Sequence, residues 1–436
     1  MKVRATLQRY MSSLSEASYF NGAVLIAKNG EILLSEAFGT ANFTFNITHT
    51  IDTKFRIGSL TKGFTSTAIL QLEERGLLSV EDSITKYIEE ISYGEKVTIH
   101  HLLNHTSGIS NFTNWPNYWP DMMRKLINKQ DMVKLLKQYS LEFKPGEQYS
   151  YTNSGYILLA IIIEKITGLS FKEYIHKYIC QPLQMYNTGC EDESREIIET
   201  LATGYTICGD VIPAEYIDMS IPSGAYGMYS TVIDLFKWHK ALRGNEIISE
   251  VSRQKMFTGY LNNYGYGWAI EREREGYIST SHFGDINGFV NYMIRYEKDN
   301  VCIIVLSNIN ITPVIEIANN IAKIVKGEEI QTPLPIKEYE VNFFNKLECV
   351  GKYITENNEV IQIIEAQNKL YVIVPKRYGV LYKLELYLCS LQEEVAMFRT
   401  KYVDEKIKIN TKTGTLSFED VTTKCIKANK IYNEAE

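Results

Sequence analysis

Ser59 and Lys62 lie three residues apart, directly ahead of an apolar helical pattern. On a helix this spacing places both side chains on one face. An amine in that position can hold or remove the hydroxyl proton, which makes a serine an effective nucleophile. The same S-x-x-K pattern occurs again at 83–86 and 252–255, so spacing alone does not select the first copy. The alternative interpretation of Ser59 is a residue that caps a helix.

Tyr151 and Asn153 form a second group of reactive side chains. A phenol beside a lysine ammonium ionises more readily, so Tyr151 is interpreted as a base that acts near neutral pH. The Asn153 amide can donate to a substrate carbonyl and orient Lys62. The same Y-x-N pattern recurs at 19–21 and 260–262. Tyr151 is alternatively a buried tyrosine that caps the loop before a helix.

His282, Phe283 and Gly284 form the single H-x-G of the sequence. A glycine on a strand lets a substrate backbone approach closely. We expect the backbone N–H groups of Asp285 and Ser59 to hold an oxyanion together. His282 is expected to donate to a substrate carboxylate or to assist proton transfer. The alternative for His282 is a strand histidine with satisfied hydrogen bonds.

The elements that must position these groups follow a simple order along the first 330 residues. Strand patterns lie early and late, and helical patterns lie between them. The predicted elements are a hairpin at 22–40, helices at 61–76, 97–107, 121–140 and 154–167, paired strands at 282–296 and 301–308, and a helix at 311–326. We expect one antiparallel sheet assembled from both ends of this domain, with a large helical insertion.

The chain is predicted to contain two domains, since its 436 residues exceed one ordinary domain. Residues 1–330 form the first domain, and the Pro-containing stretch 331–342 is interpreted as a linker. Short β-rich runs at regular spacing then predict a small antiparallel barrel or sandwich at 343–436.

Composition excludes several classes of function. A net charge of −6 argues against nucleic acid as a partner. Seven cysteines without a C-x-x-C pair indicate neither a zinc site nor a disulfide framework. No apolar run is long enough for a signal peptide or a membrane span, so the chain as written is expected to be cytoplasmic. Oligomeric state is left open.

The three motifs in this order resemble the penicillin-recognising serine hydrolases, of the class C β-lactamase and D-alanyl-D-alanine carboxypeptidase type. The resemblance covers roughly residues 15–325 and includes the blocks 20–25, 52–59, 98–109, 264–268 and 285–289. It implies an α+β fold of the β-lactamase/transpeptidase type: an antiparallel sheet flanked by helices, a helical subdomain and the site between them. The small all-β domain follows.

The resemblance also assigns roles to residues. Ser59 is implied as the acylated nucleophile, Lys62 as its proton partner and Tyr151 as general base and acid. Asn153 is implied as a contact of the substrate amide, and His282 and Gly284 border the binding strand. The implied substrates are D-amino-acid peptides or β-lactam-like molecules, and no metal or organic cofactor is implied. The alternatives are a carboxylesterase, a weak β-lactamase or a penicillin-binding sensor without turnover.

Three further patterns in the sequence could suggest a functional site, and each also has a structural interpretation. Lys412-Thr413-Gly414 spells the K-T-G of many lactamases but is interpreted as a hairpin turn. His101 and His105 have helical i,i+4 spacing, but no glutamate follows the first histidine, so a metal site is not expected. The aromatic loop 114–120 is expected to line the cleft, or else to cover helices. An extracytoplasmic role is compatible with the resemblance, although no export signal is visible.

Overall fold

The computed structural model describes residues 2–91, 96–191, 196–272, 278–337, 339, 345–374, 382–419 and 425–431. The chain divides into two compact units, which we call the sheet unit (22–203 and 215–308) and the barrel unit (1–21, 204–214 and 309–436). The domain boundaries expected from the sequence remain predictions. Residues 338 and 340–342 of the expected linker lie outside the described residues.

In the described part of the chain the α-helices are α1 (Lys2–Glu16), α2 (Thr61–Glu74), α3 (Ile99–Leu103), α4 (Lys129–Leu136), α5 (Asn153–Thr167), α6 (Phe171–Ile175), α7 (Ser223–Tyr226), α8 (Val232–Ala241), α9 (Glu250–Met256) and α10 (Val314–Lys326). The early strands are β1 (Gly22–Lys28), β2 (Glu31–Phe38), β3 (Thr40–Asn42), β4 (Ile47–Thr48), β5 (Phe55–Arg56), β6 (Gly189–Cys190), β7 (Tyr205–Ile207), β8 (Val211–Pro213) and β9 (Met228–Ser230).

The later strands fall into two groups. Those before residue 308 are β10 (Ala269–Arg272), β11 (Ile278–Ile286), β12 (Phe289–Tyr296) and β13 (Val301–Ser307). Those beyond it are β14 (Gly351–Thr355), β15 (Val360–Ala366), β16 (Lys369–Val374), β17 (Tyr382–Gln392), β18 (Val395–Thr400), β19 (Lys406–Asn410), β20 (Thr415–Glu419) and β21 (Cys425–Lys430).

The sheet unit contains a six-stranded antiparallel sheet in the order β10-β11-β12-β13-β1-β2. Its central pair joins the two ends of the unit, with Val24 opposite Val305. Both strands of this pair are buried along almost their whole length, which explains their unbroken apolar sequences. The expected sheet built from early and late strands is confirmed, as is the α+β class.

One strand prediction is wrong. The segment 282–296 is not a single strand, because β11 and β12 form a hairpin across Asn287 and Gly288. Gly288 has a φ of +83°, which an L-residue adopts at a cost and a glycine does not. An Asn-Gly pair between apolar runs is a strong hairpin signal, and here it outweighs the continuous β pattern.

Two helices of the sheet unit, α5 and α2, are buried along most of their length. The α5 residues from Ser154 to Ile163 are all buried, as expected for a helix that is apolar on every side. In α2, every residue from Thr61 to Leu72 is buried. The helix observed in the predicted range 121–140 is shorter than expected. Helix α4 begins only at Lys129, and a single 3₁₀ turn at Met122–Arg124 precedes it.

The barrel unit contains a closed eight-stranded antiparallel barrel formed by β14 to β21. Its interior is apolar, with Ile363, Val372 and Ile407 fully buried. The predicted small all-β domain is therefore a barrel rather than a sandwich. Lys412, Thr413 and Gly414 lie in the turn between β19 and β20, which confirms the hairpin interpretation of this K-T-G.

Within the described residues no single helix has the length and apolarity to cross a membrane. One pair, Asn153–Thr167 with Phe171–Cys180, meets those requirements only when the two are joined across a 78° bend.

Candidate active site

The turn that carries Ser59 is held tightly against strand β11. Gly58–Leu60 form a 3₁₀ turn that leads into α2. Gly58 has a φ of +56°, and a Cβ at this position would lie 2.5 Å from the Asp285 backbone nitrogen. A Cβ on Gly284 would lie 2.0 Å from the Ile57 carbonyl oxygen. Both positions therefore require glycine, and their contact places Asp285 beside the serine.

Lys62 is the second residue of α2 and is fully buried. Its Nζ lies 3.0 Å from Ser59 Oγ, 2.8 Å from Asn153 Oδ1 and 2.9 Å from the Ala225 carbonyl oxygen. The predicted Ser59–Lys62 contact is thus present, and so is the predicted contact of Asn153 with Lys62. Ala225, from α7, is a partner that the sequence did not reveal.

The three hydrogen-bond partners of Lys62 are all able to accept, so they fit the three N–H groups of an ammonium. In the neutral amine, the Asn153 and Ala225 oxygens take the two N–H groups and the lone pair faces the Ser59 hydroxyl. Burial lowers the pKa of Lys62 well below its ordinary value and so favours this neutral form.

Asn153 is positioned by the start of α5. Its backbone N–H donates to Asn111 Oδ1 at 3.0 Å, and its side-chain nitrogen donates to Thr113 Oγ1 at 3.3 Å. Thr152 caps the helix by accepting from the Ser154 N–H. The amide of Asn153 is therefore fixed with its oxygen toward Lys62.

Tyr151 lies over the same cluster. The Lys62 nitrogen is 4.8 Å from the centroid of its ring, and its hydroxyl shares a hydrogen bond with Ser59. Burial raises the pKa of Tyr151, and the bond to Ser59 only partly offsets this rise. The shift is opposite to the one expected from the sequence. The lowered pKa of Lys62 also weakens the ammonium effect on which that expectation depended.

His282 is buried with both ring nitrogens engaged. Its Nδ1–H donates to the Phe283 carbonyl oxygen at 2.7 Å, and its Nε2 accepts from the Tyr264 hydroxyl at 2.8 Å. The carbonyl can only accept, which fixes the proton on Nδ1, and the phenol can donate to the unprotonated Nε2 of a neutral ring. Burial accordingly lowers the pKa of His282 to about 3. The alternative of a satisfied strand histidine therefore describes the geometry better than a cation that grips a carboxylate.

His105 connects the tyrosines of the site. It is fully buried with a φ of +63°, and its Nδ1 accepts from the Thr152 backbone N–H at 3.2 Å. Its ring centroid lies 4.3 Å from that of Tyr151 and 4.7 Å from that of Tyr264. The histidine therefore supports the loop that presents Tyr151, by packing and by a backbone hydrogen bond.

The segment 282–286 of β11 extends beyond the pairing of β11 with β10, and we call it the edge of β11. In the described residues, β10 pairs with β11 from Ile278 to Ser281, and β12 pairs along the other side as far as Ile286. Extended peptides add to sheet edges of this kind through main-chain hydrogen bonds. The edge lies next to the Ser59 turn, where Gly284 and Asp285 pack against it.

The other copies of the motifs have different surroundings. Ser83 accepts from the Thr85 N–H and Lys86 pairs with Asp82 at 3.0 Å. Lys255, in the third S-x-x-K copy, pairs with Glu73 at 2.9 Å. In both copies the lysine ammonium pairs with a carboxylate near the surface, an interaction that contributes little energy.

Two patterns outside the motifs are also resolved. His101 accepts from the Thr98 N–H in a capping box, whereas His105 faces the tyrosines, so the two rings have separate roles. In the aromatic loop, Trp115 and Tyr118 are buried in the core. Asn111 and Thr113, which hold Asn153, lie just before this loop.

The residues that sequence reasoning missed are Ala225, Tyr264, His105, Asn111 and Thr113. Tyr264 and His105 belong to two of the blocks that carry the family resemblance, and this was the signal available for them. Ala225 acts through its backbone carbonyl, which no side-chain pattern could reveal.

Comparisons with known proteins agree with this geometry. The family model described as Beta-lactamase matches residues 3–326. The chain is 32% identical to penicillin-binding protein 4* of Bacillus subtilis (strain 168) over 401 residues, which cover 85% of this chain and 87% of the relative. Among solved structures, an octameric penicillin-binding protein homologue from Pyrococcus abyssi superposes with a TM-score of 0.67 and 25% identity, covering 98% and 99% of the two chains. A D-amino acid amidase from Ochrobactrum anthropi SV3 shares the fold, with a TM-score of 0.66, 22% identity and coverage of 75% and 99%.

Proposed function

The chain belongs to the β-lactamase family, and on this premise we propose that it is a serine hydrolase that forms an acyl-enzyme with peptides or amides of D-amino acids. The observation that carries the proposal is the contact between Ser59 Oγ and the Lys62 amine at 3.0 Å. The two other contacts of that amine are with groups that can only accept. The lone pair of Lys62 is thereby directed at the serine.

In the acylation step that we propose, Ser59 attacks the substrate carbonyl while its proton passes to Lys62. The backbone N–H groups of Ser59 and Asp285 stabilise the oxyanion. Tyr151 keeps its proton in the free protein because burial raises its pKa. It therefore acts first as an acid, which donates to the leaving amine, and Lys62 then restores its proton.

Deacylation reverses these roles with water in place of the amine. The water loses its proton to the Tyr151–Lys62 pair, attacks the ester carbonyl and releases the acid. Ser59 recovers its proton as the bond breaks. Asn153 is proposed to contact the substrate amide with the side chain that also orients Lys62.

The edge of β11 at Gly284 is proposed to bind the substrate backbone through main-chain hydrogen bonds.

The proposed substrate class takes support from the third motif. A neutral His282 with both nitrogens engaged offers no permanent positive charge for the carboxylate of a β-lactam. Amides and esters of D-amino acids carry no carboxylate on the leaving group, so they do not depend on such a charge. The relatives include penicillin-binding proteins by name, and fold neighbours include D-amino acid amidases.

The same observation favours a second candidate, a carboxylesterase on this scaffold. Esters need the nucleophile, the base and the oxyanion donors, but they need no grip on a carboxylate. A fold neighbour is described as a hydrolase with promiscuous acyltransferase activity, at 18% identity. The distinction between the two candidates lies in the stereochemistry and the leaving group that the protein accepts.

The test compares D-phenylalanine amide and D-alanyl-D-alanine peptides with their L-enantiomers and with short nitrophenyl esters. The proposal predicts a D over L preference in kcat/KM of about 100-fold, with activity lost in Ser59→Ala and kept in the matched variant Ser83→Ala. Rapid ester hydrolysis without a D preference would support the carboxylesterase instead. Activity that survives Ser59→Ala would contradict both.

A further inference from the structure

We propose that His105 is a positioning residue that holds Tyr151 in place to protonate a leaving amine, and that it thereby fits the site to amides rather than to esters with a good leaving group. The inference deepens the function proposed above and rests on it. It concerns a buried histidine that has no part in the acylation and deacylation steps given above.

The first support is the clamp that His105 forms on the loop carrying Tyr151. The His105 carbonyl oxygen accepts from the Ser150 backbone N–H at 2.9 Å, and its Nδ1 accepts from the Thr152 backbone N–H at 3.2 Å. One residue therefore binds the backbone on both sides of Tyr151. Loss of either bond would free the loop at the position where the phenol is attached.

The second support is the packing of the two rings. The centroid of the fully buried His105 ring lies 4.3 Å from that of Tyr151, a distance of direct contact. The Lys62 nitrogen lies 4.8 Å from the centroid of the same phenol, and the phenol hydroxyl bonds to Ser59. The direction of that hydroxyl thus depends on a ring against which His105 packs.

The third support is the backbone of His105 itself. Its φ of +63° is a conformation that residues other than glycine rarely adopt. Asparagine and glycine reach it more easily than a histidine does, so the backbone alone gives no reason for an imidazole here. The Nδ1 acceptor and the ring contact give that reason, and strain of this kind is retained where a functional site requires it.

The consequence of the clamp differs between leaving groups. In the proposed acylation of an amide, the C–N bond breaks as the nitrogen takes the Tyr151 proton, and Lys62 returns to Tyr151 the proton taken from Ser59. A nitrophenolate instead leaves with the electron pair of the C–O bond and needs no proton. A displaced Tyr151 should therefore slow the cleavage of amides far more than that of nitrophenyl esters.

The experiment uses D-alanine p-nitroanilide and D-alanine p-nitrophenyl ester, which share the acyl group and the nitrophenyl ring and differ in the leaving atom. The readout is the ratio of kcat/KM for the anilide to that for the ester, since kcat/KM covers acylation alone. His105→Phe keeps an aromatic ring and removes the acceptor. His105→Asn keeps an acceptor and tolerates a positive φ. His49→Gln is the control, because His49 is another buried histidine of the sheet unit, bonded to Asn308 at 3.0 Å.

His105→Phe is expected to lower the anilide-to-ester ratio about 100-fold, as for a misplaced catalytic group. His105→Asn should restore most of the ratio, and His49→Gln should leave it at the wild-type value. In a Tyr151→Phe background, His105→Phe should lower the ratio no further, because its effect passes through the phenol.

An equal loss of both activities in His105→Phe would leave the ratio unchanged, as for a residue that only stabilises the fold, and would overturn the inference with the serine hydrolase intact. If His105→Phe does not fold, His105→Gln, whose acceptor lies one bond further from the backbone, takes its place, and an unchanged ratio overturns the inference equally. Hydrolysis of the ester alone by the wild-type protein would also overturn it, in favour of the carboxylesterase. Hydrolysis of neither substrate, or of both by Ser59→Ala, would instead overturn the proposed function itself.

Discussion

The Tyr264 hydroxyl donates to Nε2 of His282 across 2.8 Å, although the two residues stand 18 positions apart. The bond closes a chain in which the other ring nitrogen of His282 donates to the Phe283 carbonyl. Burial lowers the pKa of His282 to about 3, so the ring is neutral at the start of the edge of β11. The proposed preference for substrates without a carboxylate is based on this pair.

Replacing Tyr264 by phenylalanine removes the donor and leaves the buried His282 Nε2 without it. We expect the free energy of unfolding to fall by about 1–3 kcal/mol, the cost of an unsatisfied buried acceptor. Urea denaturation followed by tryptophan fluorescence measures this, because all four tryptophans lie in the sheet unit. Tyr186→Phe is the control, since that side chain is 74% exposed. Equal effects of the two variants would contradict the assigned bond.

Replacing Lys62 by methionine keeps much of the side-chain volume and removes the amine. We expect kcat to fall by about 10²–10⁴-fold, as for the loss of a general base. Lys86→Met, in the second S-x-x-K copy, should retain wild-type activity because its lysine pairs with Asp82 at the surface. Steady-state kinetics on the ester substrates provide the comparison. Similar losses in both variants would contradict the role given to Lys62.

The pH profile should report the Lys62 amine. Its pKa lies well below the ordinary lysine value because the group is buried, and only the neutral form can accept the serine proton. We therefore expect kcat/KM to fall as the pH drops through the lowered pKa of Lys62, and to remain high well below the ordinary lysine range. A profile that rises only in the ordinary lysine range, above pH 10, would show that Lys62 is charged in the free protein.

Replacing Gly284 by alanine should dislocate the nucleophile turn. A Cβ at this position would lie 2.0 Å from the Ile57 carbonyl oxygen, so the strand or the turn must move. We expect a loss of about 3 kcal/mol in stability together with loss of activity. Gly244→Ala is the matched control, because a Cβ there meets nothing closer than 3.8 Å. An active Gly284→Ala protein would disprove the close packing of β11 on this turn.

Acid should destabilise the sheet unit through histidines that fold in the neutral form. Burial lowers the pKa of His49 from 6.5 to about 4. Between these values the unfolded chain binds more protons, so the free energy of unfolding falls as the pH falls through this window. His49→Gln is expected to remove about 3 kcal/mol of that dependence. The exposed His176→Gln serves as control, and denaturation midpoints from pH 7 to 4 measure both. An unchanged slope in His49→Gln would contradict the prediction.

The sequence predicted the parts of the fold that depend on local patterns. The apolar runs of β1, β13 and α5 predicted buried elements, and the turn at Asn29 and Gly30 predicted the first hairpin. The sequence did not predict β14 and β21, which are the first and last strands of the barrel. Strand β21 alternates apolar residues with lysines and asparagine only weakly, so its β pairing depends on its neighbours.

The sequence predicted which residues form the candidate site, but it did not predict how burial shifts their pKa values. The motifs placed Ser59, Lys62 and Tyr151 correctly in one cluster, because family patterns preserve such groups. The lowered pKa of Lys62 follows from complete burial of the amine. Burial of this kind is a property of the tertiary packing, and a lysine in a sequence gives no sign of it.

The most direct test of the account is the intact mass of the protein after incubation with benzylpenicillin, with Ser59→Ala and Ser83→Ala beside the wild-type protein. At a benzylpenicillin concentration high enough to offset the missing contact with its carboxylate, the account predicts an increase by the mass of one benzylpenicillin, located on Ser59 by peptide mapping, in the wild-type and Ser83→Ala proteins. Ser59→Ala should show none. An adduct that persists in Ser59→Ala, or that maps to another residue, would contradict the assignment of the nucleophile.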